Sequence, residues 1–177
     1  MQGINIIGTS GSGKTAFSKQ LAKALAYPHY EMDAMFWKSN WTESTDPQLF
    51  AAITAVTEQE NWVLDGNYNR TIPVKWAHVD TVIWLDYSLR RTLFQAVRRA
   101  LSRSLHRQEL WQGTGNRESF RKNFMSRDSI ILWTLRTYRS NQRYYQQLMH
   151  TNTYQHIKFI RLSCPKQTSK FIAELNH

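Results

Sequence analysis

The chain has 177 residues, of which 41% are hydrophobic and 13% aromatic, enough to bury a core and to exclude global disorder. One cysteine, Cys164, excludes an internal disulfide framework and a cysteine-rich zinc site, and the six histidines show no HxxxH or HExxH spacing. The net charge of +10 is concentrated between Arg90 and Arg143, where twelve Arg and one Lys face only Glu109, Glu118 and Asp128. That segment meets something anionic or stays solvated.

No apolar run approaches the ~20 residues needed to span a bilayer, and the first residues, MQGINIIGTS, lack the pattern of a signal peptide. The expectation is one cytoplasmic domain over 1–177, without a structural metal.

In chain order, INII (4–7) reads as a buried strand ending at a glycine turn. Residues 14–26 place Phe17, Leu21 and Leu25 on one helical stripe. HYEMD (29–33) predicts a second strand ending in Asp33, and Pro47 opens a helix to about Glu60 with Phe50, Ile53, Val56 and Thr57 inward. WVLD (62–65) and TVIWLD (81–86) are apolar, β-branched runs closed by aspartates. Residues 88–105 carry Leu89, Leu93, Val97, Leu101 and Leu105 at helical spacing, with arginines between them. Residues 107–118 read as a glycine-bearing loop, and a long helix follows from about Arg127 to Met149. IKFIRL (157–162) is a last strand and 166–175 a last helix.

Alternating strands and helices imply βαβ units, hence an α/β fold with a parallel sheet. Ligands bind such sheets beyond the carboxyl ends of the strands. That edge collects Gly8–Thr15, Asp33, Asp65 and Asp86.

The string Gly8, Thr9, Ser10, Gly11, Ser12, Gly13, Lys14, Thr15 fits G-x(4)-G-K-[ST], the phosphate-binding P-loop, between a predicted strand and a predicted helix. Its glycines let backbone N–H groups converge on phosphate oxygens, and the helix start adds partial positive charge. Lys14 is expected on the β- and γ-phosphates and the Thr15 hydroxyl on Mg²⁺, with Ala16 closing the ATP-binding stretch.

Asp65, ending an apolar strand, stands where an acid would hold Mg²⁺ through water; the alternative is a cap of the turn Asp65-Gly66-Asn67. Asp33 either takes a proton from an acceptor hydroxyl, binds Mg²⁺ water, or caps the segment that follows it. Asp86, before Tyr87-Ser88, reads as a helix cap. Cys164, before Pro165, reads as structural or incidental.

The P-loop, WVLDGNY and the strand–Asp–basic-helix of 81–99 resemble the adenylate-kinase-like branch of P-loop kinases. Within it the chain is similar to small bacterial DNA topology modulation proteins, through GTSGSGKT, Asp33 to Trp37, WVLDGNY, VIWLDYS, ELWQGTGNRESF and SRDSIILWTLRTYR, over residues 3–162. The resemblance implies a P-loop NTPase three-layer sandwich, a five-stranded parallel sheet in the order 2-3-1-4-5, and a mobile basic lid over 100–127. It also places Asp33, Trp37, Asn67 and Arg70 around the acceptor. Adenylate kinases end strand three Asp-Gly-Phe-Pro-Arg; here Arg70 arrives one residue late and the proline is missing. Of two arginines usual after strand four, the first place holds Gln95 and the second Arg99.

Between Lys23 and Arg70 the one fixed positive charge is Lys38, whereas Tyr30, Phe36, Trp37, Trp41 and Trp62 abound. A phosphate-bearing acceptor calls for arginine forks, and the rings suit a base or sugar as well as ordinary packing. Two functions follow. One is an ATP- and Mg²⁺-dependent phosphotransferase, with Arg99, Arg107, Arg117, Arg121 and Arg127 as candidate fingers. The other is a nucleic-acid-associated NTP-binding protein gripping phosphates with segment 90–143.

Overall fold

The computed structural model describes residues 1–106, 109–111, 113–116 and 130–175. Its central strand β1 (Gly3–Gly8) is buried at every position, so both faces must be covered. Beside it lie β5 (Trp62–Asp65) and β6 (Thr81–Leu85), also buried throughout, with β2 (His29–Glu31) and β7 (Lys158–Leu162) outside them. The order is β2-β5-β1-β6-β7, all parallel. Taken as five core strands in chain order, this is the expected 2-3-1-4-5. The strand numbers differ because two further strands, β3 (Trp37–Lys38) and β4 (Thr42–Glu43), form a separate antiparallel hairpin.

Helices cover both faces. On one side α1 (Lys14–Leu25) and α7 (Pro165–Leu175) pack Phe17, Leu21, Phe171 and Ile172 onto Ile4, Ile6, Ile83 and Leu85. On the other, α2 (Met32–Phe36), α3 (Asp46–Thr57) and α6 (Ile130–His150) bring Met32, Phe36, Leu49, Ile53 and Tyr145 against Ile7, Leu64, Trp76 and Trp84. A short α4 (Ile72–Lys75) follows β5, and α5 (Leu89–His106) follows β6.

Three expectations are corrected. Strand two stops at Glu31, and Asp33 lies in the first turn of α2. Met32 and Phe36 are both core residues at i, i+4, a helical spacing that overrides the extended reading of HYEMD. In α3 it is Leu49, not Phe50, that is fully buried with Ile53. Among the described side chains of α5 the buried positions are Thr92, Ala96 and Ala100, whereas Leu93 and Val97 are half-buried and Leu101 is 40% exposed; Leu105 lies outside them. Small residues win that face because the helix lies directly against backbone of the glycine loop.

Register sets the site. Ile6 pairs with Asp65 and Gly8 with Leu85, so the loop after β1 starts between the ends of β5 and β6.

Candidate active site

The loop Gly8–Lys14 owes its shape to two glycines. Gly8 has φ +152°, and a Cβ there would lie 2.7 Å from the Leu85 carbonyl oxygen. Gly11 has φ +86°, and a Cβ would lie 2.7 Å from the Thr92 oxygen and 2.8 Å from Ala96 Cβ. The loop closes by Ser12 N–H to the Thr9 carbonyl (3.0 Å) and enters α1 through Phe17 N–H to Gly13 (3.0 Å). Lys14 Nζ folds back onto the Gly8 carbonyl at 3.0 Å and the Thr9 carbonyl at 3.5 Å. These are the contacts a polyphosphate would replace. Burial lowers the Lys14 pKa, Asp65 and Asp33 raise it, and Arg99 lowers it, so the four charges share one field. Ser12 Oγ is buried without a partner among the described residues, a donor left over inside the loop.

Thr15 Oγ1 donates to Asp65 Oδ2 at 2.5 Å, joining the head of α1 to the end of β5. Asp65 is 5% exposed, and its Oδ1 has no partner among the described residues. Burial pushes its carboxyl up to about 6, against the pull of Lys14 and the Thr15 hydrogen bond. A hydroxyl and a carboxylate side by side, with one orphaned hard oxygen, fit Mg²⁺, which takes few protein ligands and keeps several waters. Among the described residues the partner of the Asp65 carboxylate is the Thr15 hydroxyl, not a backbone group of the turn Asp65-Gly66-Asn67.

Asp33 is exposed and its Oδ1 accepts from the Tyr68 hydroxyl at 2.8 Å. It is not the cap of α2: the helix begins at Met32, its N-cap residue is Glu31, and no side-chain cap bond is made there. Asn67, expected at the acceptor, instead commits its amide to Gly8, accepting from the Gly8 N–H at 3.0 Å and donating to the Gly8 carbonyl at 2.9 Å. Arg70 pairs with Asp46 (3.1 Å) and lies over the Phe36 ring, 5.3 Å from its centroid. Trp37 is half-buried and belongs to a string of rings, Tyr68–Phe36–Trp37–Trp41–Trp111, tilted at its first pair and edge-on at the others. Asn116 closes the far end of that string, accepting from Trp41 N–H (2.9 Å) and donating to the Lys38 carbonyl (2.8 Å).

From the other side, Arg99 Nη2 reaches Ser10 Oγ at 3.4 Å, over the tip of the loop. Thr134 Oγ1 meets the Ser10 carbonyl, also at 3.4 Å. Ala16 is exposed on the first turn of α1. Arg107, Arg117, Arg121 and Arg127 lie outside the described residues, as does most of the expected lid beyond His106. Asp86 is not a cap. Its Oδ2 takes both Nε (2.8 Å) and Nη2 (2.5 Å) of Arg161, Gln142 Nε2 adds a 3.0 Å bond to Oδ1, and Ser88 Oγ accepts the Arg91 N–H instead. Cys164 is free and partly exposed.

Sequence reasoning passed over Asn5 and Lys75. Asn5 is fully buried; its Nδ2 donates to the Leu64 carbonyl (3.0 Å) and the Gly66 carbonyl (3.2 Å), and its Oδ1 accepts from Trp76 Nε1. A polar residue inside the apolar run INII was the available signal. Lys75 is 0% exposed, with nothing in its surrounding sequence to announce that.

Residues 4–125 match a family profile described as an AAA domain. The fold is similar to a gluconokinase from Sinorhizobium meliloti, at 16% identity and TM-score 0.54, covering 98% of this chain and 89% of that one. It is similar to a shikimate kinase from Acinetobacter baumannii solved with shikimate, at 12% identity and TM-score 0.60, covering 99% and 90%. A shikimate kinase from Aquifex aeolicus gives 14% identity and TM-score 0.55, covering 97% and 92%. No curated protein matches the sequence. Among the described residues, no helix is long and apolar enough to cross a membrane.

Proposed function

We propose, from the premise that the chain belongs to the AAA domain family, that it is an ATP- and Mg²⁺-dependent phosphotransferase acting on a small acceptor. The observation that carries this is the Thr15–Asp65 pair at the head of the glycine loop, with Asp65 Oδ1 left for a cation. Thr15 and Asp65 would hold Mg²⁺ there, and the ion would supply charge neutralisation for a bound polyphosphate. Lys14 exchanges its two carbonyl contacts for phosphate, Ser12 offers its spare hydroxyl, and Arg99 adds charge from above Ser10. Such transfer needs positioning and charge stabilisation more than covalent chemistry from the protein.

Asp33, on the same edge, is the group to receive the proton of an acceptor hydroxyl, with Tyr68 fixing its orientation. The rings from Phe36 to Trp111, and the scarcity of cations near them among the described residues, favour an acceptor with hydroxyls and a stackable face over a second polyphosphate. The solved neighbours named gluconokinase and shikimate kinase are consistent with a hydroxyl acceptor. The WVLDGNY and VIWLDYS strings support placing it beside adenylate-kinase-like topology modulation proteins. The nucleic-acid reading draws on the +10 segment, yet Tyr145, just beyond it on the same helix, is 1% exposed and packs edge-on against Trp84. Tyr138 commits its hydroxyl to the Tyr87 carbonyl.

The test is transfer of γ-labelled phosphate from ATP to nucleosides, nucleoside monophosphates, small sugar acids and oligonucleotide 5′ ends. Labelling of a small acceptor supports the proposal, and labelling of none opposes it.

A further inference from the structure

Lys75 ends the short helix Ile72–Lys75 and is completely buried. Its Nζ donates to the Asn67 carbonyl and, at 3.4 Å, to the Gly66 carbonyl, and lies 4.0 Å from Met32 Sδ. Among the described residues no carboxylate faces it. A buried ammonium held only by carbonyls is costly, so its place calls for a reason beyond packing.

The turn it touches supplies one. Asn67 clamps both backbone atoms of Gly8, the first glycine of the loop. The next residue, Tyr68, has φ +31°, an unfavourable backbone for a bulky side chain. From that backbone its hydroxyl reaches Asp33. The Gly66 carbonyl is turned inward by Asn5 as well as by Lys75. Because each peptide is planar and trans, carbonyls drawn inward at residues 66 and 67 turn the Asn67 and Tyr68 N–H groups to the opposite side.

We propose that Lys75 is a positioning residue: its ammonium holds the Gly66–Asn67–Tyr68 turn in the strained form that sets Asn67 on Gly8 and Tyr68 on Asp33. One side chain behind the sheet edge thereby ties the phosphate loop to the acceptor acid. Its consequence for catalysis rests on the phosphotransferase reading, but the positioning does not.

The test is amide hydrogen exchange by NMR on the full chain without nucleotide, for wild type, Lys75→Met and Asn67→Ala. Lys75→Gln stands in should Lys75→Met fold poorly. The readout is the Gly8 N–H, which donates to Asn67 Oδ1. The control is the Asp80 N–H, bonded to the Gly3 carbonyl at the far end of the sheet. Gly8 protection should fall about tenfold in both variants with Asp80 unchanged, and ATP affinity should fall in parallel, as supporting residues commonly act on that scale. Unaltered Gly8 protection in a folded Lys75 variant would overturn the proposal. So would an equal loss at Gly8 and Asp80, which marks general destabilisation. If Gly8 alone loses protection but wild type binds no ATP, the positioning role stands and the phosphotransferase reading falls.

Discussion

The Thr15 hydroxyl and the Asp65 carboxylate, fifty residues apart, meet at 2.5 Å and leave the second Asp65 oxygen buried and unpartnered. The parallel register of β1 with β5 produces this contact, because Ile6 stands opposite Asp65 just before the chain turns into the loop. The pair proposed to hold Mg²⁺ is thus set by the same sheet that positions the glycine loop.

Asp65→Asn should lower turnover by about a hundredfold or more, the scale of losing one preorganised electrostatic group. It should also change the relative activity with Mn²⁺ and Mg²⁺, and steady-state kinetics with each ion reads both effects. A fully active Asp65→Asn variant would return the residue to a purely structural role.

Tyr68→Phe removes the hydroxyl that orients Asp33 but leaves the loop untouched. It should lower kcat with the acceptor while ATP affinity, read by calorimetry, stays constant. Asp33→Asn should do the same more strongly, since it removes the proton acceptor itself. A loss of ATP affinity in either variant would place these groups on the nucleotide side.

The glycine loop was legible in the sequence because its shape is local: Gly8, Gly11 and Gly13 adopt positive φ within one turn, between a strand and a helix that announce themselves. Four of the five core strands were legible for the same reason, as apolar runs, whereas HYEMD marked β2 but ran two residues past its end at Glu31. What failed was everything set by distant packing. Over its described side chains, 89–102, the helix buries Thr92, Ala96 and Ala100, chosen by the approach of Gly11, while its leucine stripe looked more persuasive. Asp86 sits next to a helix in sequence, yet Arg161, seventy-five residues away, takes it. The bonds of Asn67 to Gly8 could not be read from the sequence either, since that pairing exists only once β1 and β5 are aligned.

Burial holds the Lys75 ammonium down at about 7, against about 10.4 for an unfolded lysine. Between those values the folded chain carries fewer protons than the unfolded chain, so unfolding takes up a proton and stability rises with pH. Lys14 is shifted in the same direction and adds to the slope. Urea midpoints from pH 7 to 9.5 should rise in wild type and rise less steeply in Lys75→Met. Parallel curves would show that Lys75 does not titrate in this window.

Arg99→Gln should lower kcat, by ~10³-fold if the guanidinium meets the transferred phosphate, with little change in DNA binding. A nucleic-acid grip would instead spread over many residues. Its affinity would fall with salt at a log–log slope of about −0.9 per duplex phosphate contacted. A slope steeper than about −5 with sub-micromolar affinity near physiological salt would favour the grip over the lid.

The most direct measurement is calorimetric titration of Mg²⁺·ATP into wild type and Lys14→Ala, with circular dichroism to confirm that both are folded. Among the described residues the Lys14 ammonium bonds the Gly8 and Thr9 carbonyls, contacts within the loop itself, so its removal should spare the fold. Saturable binding by wild type and its loss in the folded variant is the predicted result. Equal affinity in the two folded proteins would contradict the assignment of Gly8–Thr15 as the ATP-binding loop.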